Sequence, residues 1–225
     1  INRLRIAQIS DIHLGLMARQ GRLNSILQKV TQANPDILVS TGDMLDGNVR
    51  HLPELAALLH QVPTPFGKYA VTGNHEFYSG IEDAIDFHHK AGFKLLNGEI
   101  KTIPGLINIA GVDDSPAWDS KPVDLLLSSA PRGLFTLFLK HRPDIEEKTL
   151  GHFDLQLSGH THGGQIFLYN FLVSRSYSYL RGLFELSRGS LLYVNRGSGT
   201  WGPPMRLFTP PEITLIELVP KPVDQ

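Results

Sequence analysis

Along the first part of the chain, short apolar runs rich in β-branched residues alternate with stretches of helical periodicity. Residues 4–9 read as a strand, and residues 19–33 as a helix that stops before Asn34-Pro35. A strand over 36–40, a helix over 51–62, a strand over 68–72 and a helix over 81–91 follow. Such alternation predicts an α/β architecture with parallel pairing in this half. The second half changes character. Residues 99–103 and 106–112 read as strands joined at Pro104-Gly105, an antiparallel hairpin. Further strands are expected at 134–139, 153–157, 191–194 and 213–218, with few helices between them. The expectation is one domain over residues 1–225, with two sheets facing each other and helices outside.

Composition narrows the chemistry. The chain has 225 residues, 41% hydrophobic and 19% charged, which suits one well-packed globular domain and excludes general disorder. A net charge of −1 provides no global basic field, which argues against a nucleic-acid partner. There is no cysteine, so thiolate metal sites and cysteine nucleophiles are excluded, and any metal must use carboxylate, amide and imidazole ligands. The chain opens at Ile1 rather than an initiator Met. A segment before Ile1 is therefore expected to be processed or left out, and a membrane anchor is one candidate for it. The expected localisation is membrane-associated through that segment, with the domain itself soluble.

Polar residues gather where strands end. Asp11 and His13 follow the first strand, Gly42-Asp43 the second and Gly73-Asn74-His75-Glu76 the third. His141 follows the strand at 134–139, and Gly159-His160-Thr161-His162 the one at 153–157. Open α/β sheets place their sites just beyond the carboxyl ends of strands. Five of the ten histidines fall in these positions. Each signal taken singly is weak, an Asp-x-His or Gly-Asp reading as a polar turn. Gly159-His160-x-His162 is stronger, since two imidazoles near a sharp bend have few structural uses, and the five together point to a functional cluster.

The run Asp11-x-His13, Gly42-Asp43-x-x-Asp46-Gly47, Gly73-Asn74-His75-Glu76, a lone His141 and Gly159-His160-x-His162 resembles the calcineurin-like metallophosphoesterase family motif by motif. The extension Gly163-Gly164-Gln165, the segment Tyr193-Val194-Asn195-Arg196-Gly197 and Pro210-Pro211-Glu212-Ile213-Thr214-Leu215 resemble its bacterial membrane-associated branch. Arg142 departs from that pattern, standing where Asn is more usual.

The resemblance implies a four-layer α/β/β/α sandwich, two facing mixed β-sheets flanked by helices. It implies two divalent metal ions (Mn, Zn, Fe or Mg), the first held by Asp11, His13 and His162 and the second by Asn74, His141 and His160, with Asp43 bridging. Ions roughly 3.5–4 Å apart need such a shared carboxylate, and they lower the pKa of a held water toward about 7, giving hydroxide for attack on phosphorus. His75 resembles the family's non-ligand histidine that assists the leaving group, with Asp46 orienting it. The implied function is hydrolysis of a phosphomonoester, phosphodiester or pyrophosphate, with a lipid-linked or nucleotide substrate in view. The alternative is a non-catalytic metal-binding scaffold for protein interaction on the same fold; intact ligand positions argue against it.

Other features read more plainly. Gly163 and Gly164 let backbone approach the metals. Arg196 reads as a surface salt bridge and Asp113-Asp114 as a solvated turn. Over residues 167–184, Phe167, Tyr169, Phe171, Tyr177, Tyr179 and Phe184 accompany Arg175, Arg181 and nearby Arg188. This mixture suits either ordinary packing or a lip in peripheral contact with a membrane.

Overall fold

Strand β1 (Leu4–Ile9) is buried on both sides. Leu4 and Ile6 join one apolar cluster, Ala7 and Ile9 another, as the period of two along a strand requires. The computed structural model describes residues 2–15, 20–47, 52–115, 122–166 and 170–220. Helix α1 (Gln20–Ala33) turns Leu23, Ile26, Leu27 and Val30 inward, the spacing of a single helical face. It ends at Asn34, whose φ of 46° and the following Pro35 both refuse further helix. Strand β2 (Ile37–Thr41), helix α2 (Leu52–His60) and strand β3 (Lys68–Val71) come next. Helices α3 (Asn74–Ser79) and α4 (Ile81–Lys90) then lead to strand β4 (Phe93–Leu95). The first sheet has the order β11-β1-β2-β3-β4, with β11 (Thr214–Leu218) antiparallel at one edge and the other pairs parallel.

Strands β5 (Glu99–Ile103) and β6 (Ile107–Val112) form the expected antiparallel hairpin. Helix α5 (Val123–Ser128), strands β7 (Phe135–Lys140) and β8 (Leu155–Ser158), helix α6 (Asn170–Ser176) and strands β9 (Gly182–Glu185) and β10 (Leu191–Val194) complete the order β5-β6-β7-β8-β10-β9. The interior of this second sheet is parallel, β6 to β7 to β8 to β10, and only its edges are antiparallel. Both sheets are therefore mixed.

Three apolar clusters fill the three gaps between layers. One lies between the sheets, where Ile6, Val39 and Val71 meet Ile109, Leu139 and Leu157. A second packs Ile26, Leu59 and Phe87 of α1, α2 and α4 on the first sheet. The third packs Val123 and Leu127 of α5 against Ala110 and Phe138 of the second. This is the four-layer α/β/β/α sandwich. The elements α3, α5, α6, β4 and β9, none longer than seven residues, were not expected from the sequence. Arg19 and His51, where two expected helices begin, lie outside the described residues.

Candidate metal centre

Strands β1, β2 and β3 of one sheet and β7 and β8 of the other finish at the same end of the sandwich. Parallel pairing persists just past the strands, with the Asp11 amide donating to Gly42 O and that of His13 to Asp43 O, both at 3.0 Å. There the backbone leaves its ordinary basins. Nine described non-glycine residues have positive φ, and five of them are Asp11 (51°), His13 (52°), Asp43 (52°), His160 (69°) and His162 (52°). A left-handed residue with a side chain costs on the order of 1–3 kcal/mol, and such residues gather where a site demands them. Glycine makes room beside them. A Cβ on Gly159 would stand 2.2 Å from Asp11 Oδ2, and one on Gly73 the same distance from Asp43 Oδ1. The close approach thus falls at Gly73 and Gly159. At Gly163 a Cβ would meet Arg196 Cγ and Thr209 Cγ2 instead.

The side chains converge in two groups that share Asp43. In the first, His162 Nε2 lies 3.0 Å from His13 Nε2 and 3.4 Å from Asp11 Oδ1. In the second, His141 Nε2 lies 3.0 Å from His160 Nδ1 and 3.3 Å from Asn74 Oδ1. Asp43 Oδ2 reaches His141 Nε2 at 3.2 Å and His13 Nε2 at 3.8 Å. The ligand atoms of Asp11, His13 and His162, and those of Asp43, His141 and His160, lie mutually within 4.8 Å. His13, Asp43 and His75 make a third such trio. His75 Nδ1 is 3.0 Å from Asp46 Oδ1, and the His75 amide donates to Asp43 Oδ1 at 2.9 Å.

This donor set fits divalent cations. His141 Nδ1 faces the Thr41 carbonyl at 2.7 Å, and a carbonyl can only accept, so the neutral ring carries its proton there. Its Nε2 then presents a lone pair to Asp43 Oδ2, His160 Nδ1 and Asn74 Oδ1 at once. A single proton on Nε2 would satisfy one of these acceptors, whereas a metal ion would satisfy all four atoms.

Electrostatics follow from burial and from Asp43. Burial opposes charge on His141, but the Asp43 carboxylate, aided by Asp11 and Asp114, outweighs it and holds the ring up near 10. Burial likewise works against the Asp43 carboxylate, and the imidazoles of His141, His13 and His75 overcome it, keeping that carboxyl well below its ordinary range. Burial raises Asp11 to about 6 and lowers His13 to about 4 and His160 to about 3. His162 lies well below its usual value, through burial and then the charge of its neighbour His13. Neutral imidazoles are the form that binds metals: His13, His160 and His162 are held so by burial, while His141 would release the Nε2 proton it shares with Asp43 to an entering ion.

Several supporting residues were not singled out from sequence. Gln8, buried in β1, donates to Thr41 Oγ1 (3.0 Å), Thr41 to Ser10 Oγ (2.8 Å) and Ser10 to Asp11 Oδ2, a line of donors aimed at one carboxylate. Gln8 also donates to Ser158 O across the two sheets. Glu76, fully buried, accepts four backbone N–H groups around Asp43. Glu76 at the third helical position after Gly73 was a readable capping signal. Tyr177 OH lies 2.6 Å from His160 Nε2, so this ring of the expected aromatic lip belongs to the site. Tyr179 and Phe184 pack on each other, while Phe167 and Tyr169, with the side chains of Phe171 and Leu172, lie outside the described residues. Arg196 pairs with Glu212 at 2.6 Å. Asp114 is no solvated turn residue: only 14% of its side chain is exposed, and it pairs with Arg142 at 3.0 Å.

The model of the calcineurin-like phosphoesterase family matches residues 4–164, a span that takes in the whole cluster. The chain belongs to that family. Among its relatives, an uncharacterized metallophosphoesterase of Aquifex aeolicus is 39% identical over 96% of this chain and 85% of its own length. A Danio rerio protein named transmembrane protein with metallophosphoesterase domain is 32% identical over 97% of this chain, which spans only 54% of it. The 5'-nucleotidase precursor of Thermus thermophilus superposes with a TM-score of 0.56 at 15% identity, covering 96% of this chain and 54% of that chain, a likeness of fold.

Proposed function

We propose that the chain hydrolyses phosphate esters or pyrophosphates with two divalent cations. Asp11, His13 and His162 would hold one, Asn74, His141 and His160 the other, and Asp43 both. The convergence of acceptor atoms on His141 Nε2 carries this reading, with the matching convergence on His13 Nε2. When bound, the cations activate a water and neutralise charge on the phosphoryl oxygens. The protein contributes orientation. The donor line from Gln8 through Ser10 fixes Asp11 as an anion, and Glu76 fixes the loop bearing Asp43. Asp46 holds His75 by Nδ1, which keeps the ring in one orientation. His75 so oriented aims Nε2 at the departing oxygen, to which it gives a proton.

The oxygen and nitrogen donor set accommodates Mn, Zn, Fe or Mg. Among the described residues no helix is long and apolar enough to cross a membrane. A lipid-linked substrate draws support from the relative named as a transmembrane protein. An activity screen after reconstitution with each metal, over nitrophenyl mono- and diesters, nucleotide sugars and lipid-linked pyrophosphates, tests the reading. Metal-dependent turnover of at least one ester class is expected; none across the panel would overturn it.

A further inference from the structure

Residues 201–208 lie within the connection from β10 to β11 and form a loop whose polarity is reversed. Trp201, Met205, Leu207 and Phe208 are 54%, 53%, 43% and 78% exposed, four large apolar side chains in one short stretch. Single exposed apolar residues are ordinary, but a contiguous group marks a contact surface. The polar groups of the loop point inward. Gln165 donates to Trp201 O at 2.7 Å and to Pro203 O at 3.3 Å, accepts from Trp201 N at 2.9 Å, and its carbonyl receives Leu207 N at 3.1 Å. The Arg206 guanidinium donates to the carbonyls of Gly199, Gly197, Thr209 and His162. The loop is thus pinned to the backbone of the metal centre while its apolar side chains face solvent.

Cations stand at its root. Arg22 donates to Thr200 Oγ1 at 2.6 Å and Arg181 to Thr209 Oγ1 at 3.5 Å. A cavity of about 710 Å³ beside Pro204 adds Lys29 and Arg196 to Arg22 and Arg206, against the single carboxylate of Glu212. The Trp201 ring lies 6.1 Å from that of His75, so whatever covers the loop also covers the mouth of the site.

We infer that this loop docks on an anionic lipid bilayer, its four apolar side chains entering the headgroup boundary and Arg22, Lys29 and Arg181 meeting lipid phosphates. Apolar tips that protrude rather than form a groove, an indole among them and a cationic surround match a membrane interface. Resting on the phosphoesterase reading, the same contact would deliver membrane-borne phosphoesters to His75.

The test uses the whole chain with vesicles of phosphatidylcholine alone or mixed equally with phosphatidylglycerol. A Trp118→Phe background leaves Trp201 as the only indole. Expected results are cosedimentation with the anionic vesicles that weakens with salt, and quenching of Trp201 by brominated lipids. Met205→Ser with Phe208→Ser should lose about tenfold or more in vesicle affinity. Circular dichroism and hydrolysis of a small soluble ester should stay at the parent level. No sedimentation, no quenching in the otherwise intact loop, or parent-like binding by the double variant would overturn the inference. So would a parent dimer that the double variant dissolves, since the loop would then be covered by a second copy. Vesicle binding without hydrolysis of any soluble ester would support docking and count against the phosphoesterase reading alone.

Discussion

Glu76 accepts the backbone N–H of Asp43 at 3.0 Å, joining the residue that follows the candidate ligand Asn74 by two to the residue proposed to touch both metals. The same carboxylate accepts Met44 N at 2.7 Å, Leu45 N at 3.0 Å and Gly73 N at 2.7 Å. Burial, then the nearby Asp43 charge, pushes Glu76 up to about 7, but four N–H donors can be met only by acceptor oxygens. A carboxyl held this way is the hinge pin of the Asp43 loop.

Glu76→Gln turns an NH₂ toward two of those donors. A lost charged hydrogen bond inside a protein costs on the order of 1.5–3 kcal/mol, so the variant should unfold at lower temperature and bind metal at least about tenfold more weakly. Thermal melts and metal titration check this. An unchanged melt with unchanged affinity would remove the positioning role.

His75→Asn should lose about 10²–10⁴-fold in turnover, the usual worth of a general acid, while metal content holds. The loss should shrink for nitrophenolate, which leaves without a proton, and grow for an alkoxide. Equal losses across leaving groups would mean that His75 is not the acid.

Acid sensitivity should have a component far from the metals. His88 of α4 is fully buried, its Nδ1 2.8 Å from Ala84 O and its ring edge-on to Phe87 and Phe93. Burial lowers it from 6.5 to about 4, so the fold favours the neutral ring. A depressed folded value means that stability is complete above pH 6.5 and is lost as pH falls from there through 4, by about 3 kcal/mol at most. Unfolding free energy measured against pH should therefore fall less steeply over this window in His88→Leu. A slope identical to the parent's would show that His88 contributes nothing.

The sequence carried the residues that converge at the strand ends and the fold's layers because both are written in local signals. Strand ends with Asp, Asn or His are visible without knowing how sheets pair, and apolar period places each strand. What it concealed depends on contacts between distant segments. Gln8 carries no local signal within its strand, yet it bonds Ser158 in the opposite sheet. Arg206 carries no local signal in its proline-rich loop; the turn of residues 197–209 brings three carbonyls around it, and the distant His162 supplies a fourth. Parallel pairing of β7 with β8 escaped notice because the connection between them holds a single 3₁₀ turn rather than a crossover helix. The left-handed backbone at Asp11, His13, Asp43, His160 and His162 had no sequence signal, since these residues are chosen for their side chains.

The claim at the centre of this account is that one carboxylate serves two ions, and elemental analysis of the purified, metal-reconstituted protein tests it directly. The parent should carry two divalent ions per chain, and Asp43→Asn should lose at least one of them together with all activity. Two ions per chain in an active Asp43→Asn variant, or a fully active parent with one, would contradict it.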